Sequence, residues 1–353
     1  MNPATIQIGE RTIGCGQPVY VIAELSANHN QSFERAVQIL RAAKDAGVDA
    51  VKLQTYTAES ITIASKREYF QIRGGTLWDG RTLYDLYREA HTPWEWQPKL
   101  KRVCDELGMD MFSSAFDTSA VDFLEKMGVP AHKIASPELV DVPLIQKMAR
   151  TGKPLILSTG MATLEEIDEA IDTARAAGAA QIALLRCTSA YPAPAEEMNL
   201  RSIPDMVQRF GLPVGLSDHT PGIATAVTAV ALGASLIEKH LTLSRADGGP
   251  DGAFSLEPDE FKLLVQAIRC AEKSLGRVQY GPTPHEMNTR AYRRSLFVVR
   301  DMKKGEVFTS ENVRSIRPAN GLHTRYLPEI LGQHAASDIE RGTPVSWSLV
   351  NKS

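Results

Sequence analysis

The chain has 353 residues, and its 43% hydrophobic and 23% charged fractions are those of an ordinary soluble globular protein. Its 39 lysines and arginines nearly balance 42 aspartates and glutamates, and a net charge of −3 at pH 7 argues against a nucleic-acid or membrane-surface partner. No apolar run is long enough to span a bilayer, and the length suits one large domain with a second, small one.

The N-terminus and the cysteines favour a reducing compartment. Residues 1–8 contain neither a basic n-region nor an apolar h-region, so we expect no signal peptide. The four cysteines are scattered without paired spacing, at Cys15, Cys104, Cys187 and Cys270. Such spacing is typical of free thiols rather than of a disulfide framework or a zinc knuckle, and we expect a cytoplasmic protein.

Between residues 19 and 274, short apolar runs alternate with amphipathic stretches. Eight runs predict strands at 19–23, 50–54, 109–112, 131–135, 154–157, 182–185, 213–216 and 234–237. The stretches between them predict helices, for example at 33–46, 94–107, 120–127, 164–177 and 223–232. Several predicted helices stop at a glycine, such as Gly47, and Thr163 is a predicted N-cap.

Eight strand–helix units in about 255 residues predict a (β/α)8 TIM barrel. An open doubly wound sheet is less favoured, because no Gly-x-Gly-x-x-Gly follows the first strand. The connection 56–92 is long and rich in aromatic residues, which indicates the lining of a substrate pocket.

The composition changes after Gly276, where the barrel pattern ends. We expect a barrel domain at 1–280, a linker at 281–290 and a small, mostly β domain at 291–353. A strand is predicted from Ser295, followed at 301–309 by a turn into a second strand.

Two predicted strands lead into histidines, His219 and His240. Their separation of 21 positions is about that of one βαβ unit, so both would lie on the same rim of a barrel and could share a divalent metal. Two histidines alone are weak evidence, because most buried histidines only hydrogen-bond to their surroundings.

Polar residues lie at the carboxyl end of every predicted strand, on the rim where barrels carry their active sites. They are Glu24; Lys52 and Gln54; Ser113 and Ser114; Lys133 and Ser136; Ser158 and Thr159; Cys187, Thr188 and Ser189; Ser217 and His219; Lys239 and His240. Lys52 and Lys133 among several hydroxyls indicate a site for a multiply charged anion, such as a phosphate with a carboxylate. Either lysine could instead form a Schiff base, as in barrel aldolases.

The remaining candidates have open alternatives. Glu24 and Glu138 could act in acid–base chemistry or bind hydroxyls, but could equally form surface salt bridges. Asp251, in Gly-Gly-Pro-Asp-Gly, is by default a turn former. Cys187 has no histidine close in sequence, and we favour it as a wall residue.

Seven motifs together resemble the sialic acid synthase family. They are Ala23-Glu-Leu-Ser-Ala-Asn-His-Asn30, Lys52-Leu-Gln-Thr-Tyr56, Lys133-Ile-Ala-Ser-Pro-Glu138, Ser158-Thr-Gly-Met161, Cys187-Thr-Ser-Ala-Tyr-Pro192, Gly215-Leu-Ser-Asp-His219 and Ile237-Glu-Lys-His240. The C-terminal module resembles the antifreeze-like (SAF) domain of those enzymes. The first motif, together with 74–79 and 83–87, resembles the branch that uses 2,4-diacetamido-2,4,6-trideoxy-L-altrose.

The resemblance implies a reaction in which phosphoenolpyruvate and an open-chain N-acetylated amino sugar condense to a nine-carbon 2-keto acid with release of phosphate. His219 and His240 would bind Mn²⁺, with Mg²⁺ or Co²⁺ as alternatives, and Glu138 would be the acid/base. Matching positions suggest that phosphoenolpyruvate is held by Lys52, Ser114, Lys133, Ser136, Ser158, Ser189 and Ser217. Glu24, Tyr191 and Asp251 would contact the sugar.

The resemblance also implies a domain-swapped homodimer, in which Arg317 of the small domain reaches the barrel of its partner. Three alternatives stay open. The sugar could be N-acetylmannosamine or a manno-configured diacetamido sugar, the barrel could be a Schiff-base aldolase acting through Lys133, or the protein could bind a sugar without catalysis.

Overall fold

The structure is a computed structural model that describes residues 5–351. Residues 1–4, half of the stretch that argues against a signal peptide, lie outside the described residues. The chain forms two compact units, Met1–Gly276 and Arg277–Ser353. No helix within 5–351 is long and apolar enough to cross a membrane.

The first unit contains a closed barrel of eight parallel strands, as predicted. Its strands are β3 (Tyr20–Glu24), β4 (Ala50–Thr55), β5 (Asp110–Ala115), β6 (His132–Ile134), β7 (Leu155–Ser158), β8 (Ile182–Cys187), β9 (Val214–Asp218) and β10 (Leu236–His240). They pair in chain order, and β10 closes the barrel against β3 with His240 opposite Glu24. Most strands extend beyond the predicted apolar runs, because backbone pairing continues through the polar residues at their carboxyl ends.

Helices follow the strands, and most of them pack their apolar faces on the barrel. They are α1 (Phe33–Ala46), α2 (Ala58–Ile61), α3 (Leu83–Ala90), α4 (Gln97–Leu107), α5 (Thr118–Met127), α6 (Val142–Ala149), α7 (Leu164–Ala176), α8 (Ser202–Phe210), α9 (Ala224–Ala231) and α10 (Pro258–Leu275). Gly47 caps α1 in the left-handed conformation, at φ 86°, as predicted. Thr163 caps α7 as predicted, in a capping box with Glu166.

A hairpin that the pattern did not predict precedes the barrel. Strands β1 (Thr5–Ile8) and β2 (Arg11–Gly14) pair in antiparallel register and bury Ile6, Ile8 and Ile13. Arg11 lies 3.2 Å from Asp110, at the amino end of β5, so the hairpin packs against the end of the barrel opposite the carboxyl rim.

The second unit is small and mostly β, with a core of its own that includes Leu296, Phe308 and Ile339. Strands β11 (Ser295–Val298) and β12 (Val313–Ile316) pair, as do β13 (His334–Ala335) and β14 (Val350–Asn351), and α11 spans Leu327–Ile330. The second strand predicted at 301–309 is wrong. That segment makes only isolated bridges, from Met302 to Ile339 and from Val307 to His334, because the turn at 304–305 interrupts its pairing with the stretch 334–339.

Candidate active site

Two histidines lie close together at the carboxyl end of the barrel. His219 follows β9 and His240 ends β10, and their ring centroids are 5.3 Å apart. Nδ1 of His219 lies 3.1 Å from the carbonyl oxygen of Thr188. It therefore carries the proton that it donates, and in the neutral ring Nε2 is the nitrogen that has a lone pair. Nδ1 of His240 is buried and has no hydrogen-bond partner among residues 5–351.

Two lysines and two glutamates form a buried charge cluster inside the barrel mouth. Nζ of Lys52 lies 2.6 Å from Oε2 of Glu24 and 3.5 Å from Oε1 of Glu238. Nζ of Lys133 lies 4.0 Å from Oε2 of Glu238. All four side chains are at most 5% exposed. An anion bound here would compete with two carboxylates for the lysines.

Burial and pairing act in opposite directions on the pKa values of this charge cluster. Burial raises the pKa of Glu24 to about 7, although the Lys52 ammonium opposes it. Burial also favours neutral Glu238, but the charges of Lys133 and Lys52 outweigh it and lower the pKa of Glu238. Burial lowers the pKa of Lys133, whereas the pKa of Lys52 is raised because its two carboxylates outweigh the effect of burial.

Serine hydroxyls lie against the charge cluster. Lys52 donates from Nζ to Oγ of Ser114 at 3.1 Å, and Lys133 donates from Nζ to Oγ of Ser158 at 2.7 Å. The Ser217 hydroxyl donates a hydrogen bond of 3.1 Å to Oε1 of Glu238. Three serines predicted for the anion site are thus brought together with both lysines.

Gly160 lies between the two other candidate serines, and the sequence reasoning missed it. Its backbone N–H donates to Oγ of Ser136 at 3.1 Å. A Cβ at this position would overlap the Oγ atoms of both Ser136 and Ser189. Only glycine lets the backbone approach these hydroxyls so closely. The signal is the glycine of Ser158-Thr-Gly-Met161, whereas the sequence prediction rests on the hydroxyls of that motif.

Glu138 follows β6 in a short 3-10 turn. Its Oε2 is buried and has no hydrogen-bond partner in the described part of the chain. Burial raises the pKa of Glu138 to about 7, against the nearby Lys133 charge. A carboxyl group with a pKa near 7 can both donate and accept a proton at neutral pH.

A row of aromatic rings leads from the long connection 56–92 to the histidines. Trp78 lies 5.7 Å from Tyr191, and Tyr191 lies 4.4 Å from His219, as distances between ring centroids. Phe254 lies 5.2 Å from Tyr191 and 4.9 Å from His240. The predicted pocket lining therefore reaches the histidine pair through Tyr191.

The loop after β10 is tied to both the first motif and the aromatic connection. Asp251 accepts hydrogen bonds from the Ser26 hydroxyl and from the Ala27 N–H, the latter at 3.2 Å. The indole Nε1 of Trp78 donates to the Pro250 carbonyl oxygen at 2.9 Å. Asp251 therefore lies at the barrel mouth, with one carboxylate oxygen already engaged.

Glu238, rather than Lys239, is the charged residue of β10 that lies beside the other site residues. Lys239 was counted among the polar residues of the rim, but its Nζ lies 2.8 Å from Asp218 on the outer side of the strands. Glu238, which was not selected, faces the barrel interior with His240. Side chains alternate along a strand, so the position two before His240 shares its face.

Cys187 and Arg317 complete the set of candidates. Cys187 is 2% exposed, and its Sγ lies 3.9 Å from Nδ1 of His219, a neighbour that the sequence did not reveal, so its role as a wall residue stays a prediction. Arg317 belongs to the C-terminal unit, directly after β12, whereas the other candidates belong to the barrel unit.

The donor set fits a divalent metal ion with open coordination positions. His219 offers Nε2, and His240 offers a buried imidazole with an unpartnered nitrogen. Residues 5–351 contain no group of three or more His, Cys, Asp or Glu side chains arranged to hold a metal. Two imidazoles leave positions for water and a substrate oxygen, as catalytic rather than structural sites do.

A barrel with lysines, serines, a titratable carboxyl group and two histidines on its carboxyl rim defines an enzyme for an anionic substrate. The NeuB family model matches residues 39–280, and the SAF domain model matches residues 293–351. The chain belongs to the NeuB family, the sialic acid synthases, whose members condense phosphoenolpyruvate with amino sugars.

Relatives with several sugar specificities resemble the chain over most of its length. It is 44% identical to the pseudaminic acid synthase of Helicobacter pylori, over 96% of this chain and 99% of that one. It is 36% identical to the N,N'-diacetyllegionaminic acid synthase of Legionella pneumophila, over 97% of each chain. Among solved structures, the N-acetylneuraminic acid (sialic acid) synthetase of Leptospira borgpetersenii in complex with citrate gives a TM-score of 0.72 at 30% identity, covering 81% of this chain and 95% of that one.

Proposed function

We propose that this protein is a pseudaminic acid synthase, which condenses phosphoenolpyruvate with 2,4-diacetamido-2,4,6-trideoxy-L-altrose to give pseudaminic acid and phosphate. The observation that carries the proposal is the 44% identity to the Helicobacter pylori enzyme over nearly both whole chains. The legionaminic acid synthase, which would be the alternative, is 36% identical over a similar length.

Phosphoenolpyruvate would bind at Lys52 and Lys133 and their neighbouring serines, the anion pocket of this proposal. Lys52 and Lys133 supply two buried positive charges, and their hydroxyl neighbours supply hydrogen bonds to phosphate and carboxylate oxygens. The serines proposed for this pocket are Ser114, Ser136, Ser158, Ser189 and Ser217. Because position 160 is glycine, the hydroxyls of Ser136 and Ser189 can lie close to its backbone and close to each other.

The sugar would lie between this pocket and the aromatic row, in contact with Glu24, Tyr191 and Asp251. His219 and His240 would hold a divalent ion, with Mn²⁺ favoured over Mg²⁺ or Co²⁺. Such an ion supplies Lewis acidity at the sugar aldehyde.

Glu138 would act as the acid/base of the condensation. A bond forms between the methylene carbon of phosphoenolpyruvate and the aldehyde carbon of the sugar. The aldehyde oxygen gains a proton, and water adds to the carbon that carries the phosphate ester. The bond from that carbon to the phosphate oxygen then breaks, which leaves the 2-keto group and releases phosphate. With a pKa near 7, Glu138 can provide a proton at one stage and take one up at another.

The assembly would be a domain-swapped homodimer in the cytoplasm. Arg317 of each C-terminal unit would reach the barrel of the partner subunit and add a positive charge near the anion pocket. An exchanged unit of this size need not be stable alone. Free cysteines such as Cys15 and Cys270 suit a reducing compartment.

The test is phosphate release from phosphoenolpyruvate with a panel of three sugars. These are the altro-configured diacetamido sugar, its manno-configured counterpart and N-acetylmannosamine. We expect turnover with the first to exceed the others by at least about 100-fold in kcat/KM, as a site built to bind specific polar groups discriminates. Turnover with N-acetylmannosamine alone would overturn the assignment.

One observation favours a second candidate, a Schiff-base aldolase. Burial lowers the pKa of Lys133, which makes its amine more available as a nucleophile. Borohydride trapping of a substrate adduct on Lys133 would support the aldolase. Loss of activity on treatment with EDTA would oppose it.

A further inference from the structure

A buried ion pair joins the two strands that carry the histidines, on the face away from the active site. Lys239 lies directly opposite Asp218 in the register of β10 and β9, and its Nζ is 2.8 Å from Oδ2 of Asp218. Both side chains are completely buried. Each is the residue immediately before a histidine, so the pair lies directly behind His219 and His240.

The same two side chains also fix the backbone on the far side of His219. Nζ of Lys239 donates to the carbonyl oxygen of Thr220 at 2.6 Å. Oδ1 of Asp218 accepts from the backbone N–H of Thr220 at 2.9 Å and from its hydroxyl at 2.8 Å. The residues before and after His219 are therefore both held to β10.

A contribution to folding stability does not by itself explain why the buried Lys239–Asp218 pair is charged. Taking two charges out of water costs several kcal/mol per ion, and well-packed apolar residues often hold strands together equally well. An ion pair with directed hydrogen bonds fixes relative position more narrowly than apolar contact does. In metal sites, groups that orient the ligands from outside the coordination shell typically change affinity by about 10- to 100-fold.

We propose that the Lys239–Asp218 pair is a positioning device that sets the spacing of His219 and His240 for a divalent ion. The inference rests on the metal site of the proposed function. Neither residue of the pair contacts substrate; both act through the backbone of the strands that carry the ligands.

The test compares Mn²⁺ affinity with thermal stability in variants of the full chain. Lys239→Met leaves Asp218 as a buried unpaired charge, so we expect both the melting temperature and Mn²⁺ affinity to fall. The double variant Asp218→Asn/Lys239→Met removes that charge, keeps an acceptor for Thr220, and should recover most of the melting temperature. Its Mn²⁺ affinity, measured by titration calorimetry, should stay about 10-fold or more below wild type.

Arg269→Met is the matched control, because Arg269 pairs with Asp49 at 3.0 Å on another part of the barrel. It should lower the melting temperature and leave Mn²⁺ affinity unchanged. If the double variant regains both stability and Mn²⁺ affinity, or if neither Lys239 variant loses affinity, the positioning role is refuted. If wild type binds Mn²⁺ no better than His219→Ala does, the metal site itself fails, and the inference fails with it.

Discussion

Glu238 lies between Lys52 and Lys133 and balances part of their charge in the barrel mouth. The sequence contained enough information to find it, because the period of two along a strand places Glu238 on the face of His240. The polar pattern alone favoured Lys239, since an adjacent lysine and histidine both look like rim residues. The alternation places Glu238 on the face of His240, but which face lines the barrel interior is fixed only when the strand pairs with its neighbours.

Glu238→Gln should destabilise the ligand-free protein, because two buried lysines lose a compensating carboxylate. Breaking a buried ion pair typically costs about 3–5 kcal/mol. Phosphoenolpyruvate would supply the missing negative charge, so it should raise the melting temperature of the variant more than that of wild type. Thermal unfolding with and without phosphoenolpyruvate measures both effects. An equal ligand-induced shift in the two proteins would argue against an anion site at these lysines.

Glu138→Gln should change the pH dependence of stability in a defined direction. Burial raises the pKa of Glu138 from 4.5 to about 7, so between these values the folded chain keeps a proton that the unfolded chain has released. The contribution of Glu138 to the free energy of unfolding therefore falls as the pH rises from 4.5 to 7. Glutamine does not titrate, so the variant does not lose this contribution. The difference in melting temperature, variant minus wild type, should be smallest below pH 4.5 and largest above pH 7.

Melting curves from pH 4 to 8.5 measure this difference, and a difference independent of pH would contradict the raised pKa. The same variant should lose about 10²- to 10⁴-fold in kcat if Glu138 is the acid/base. A variant with the kcat of wild type would show that Glu138 is not the acid/base. The predicted pH dependence of the melting temperature would not be affected.

At the scale of elements, periodicity predicted the long amphipathic helices well. The prediction for α1 matched both ends, because Ser32 and Gly47 provide the caps that stop a helix. The β1–β2 hairpin was not predicted, since its four-residue strands are too short to show a clear period. In the C-terminal unit, isolated bridges took the place of the second predicted strand, because the pairing depends on segments distant in sequence.

The aromatic connection offers a test at this scale. Trp78→Ala removes the ring next to Tyr191 and the hydrogen bond to Pro250, so the wall beside the sugar should loosen. We expect the KM for the sugar to rise about 10-fold, a typical effect of losing apolar wall contacts, with the KM for phosphoenolpyruvate unchanged. Tyr69→Ala is the matched control, because Tyr69 lies in the same connection but is 86% exposed. An equal rise in the KM for the sugar in both variants would show that Trp78 is not part of the sugar pocket.

At the scale of the whole molecule, composition and strand count predicted one barrel and one small β domain, and two compact units are observed. The location of the site on the carboxyl rim of the barrel could be predicted, because all eight strands have polar residues at that end. The linker at 281–290 and the exchange of Arg317 between subunits stay predictions. A single chain sequence carries no signal that separates contact within a subunit from contact between subunits.

Mixing two inactive variants tests the exchange. His219→Ala impairs the barrel, and Arg317→Ala impairs the C-terminal unit, so each alone should have little activity. In a swapped mixed dimer, the intact barrel of one subunit receives Arg317 from the other. After refolding an equimolar mixture, half of the dimers would be mixed and each would have one intact site, giving about one quarter of wild-type activity. No recovery in mixed dimers verified by native mass spectrometry would contradict the swap.

The most direct test of the central claim is phosphate release by EDTA-treated protein given phosphoenolpyruvate and 2,4-diacetamido-2,4,6-trideoxy-L-altrose. We predict no release without added metal, recovery on addition of Mn²⁺, and no recovery in His240→Ala, since the remaining histidine alone cannot hold the ion. Full phosphate release in the presence of EDTA, or release with Mn²⁺ that does not require the sugar, would contradict a metal-dependent condensation at this barrel rim.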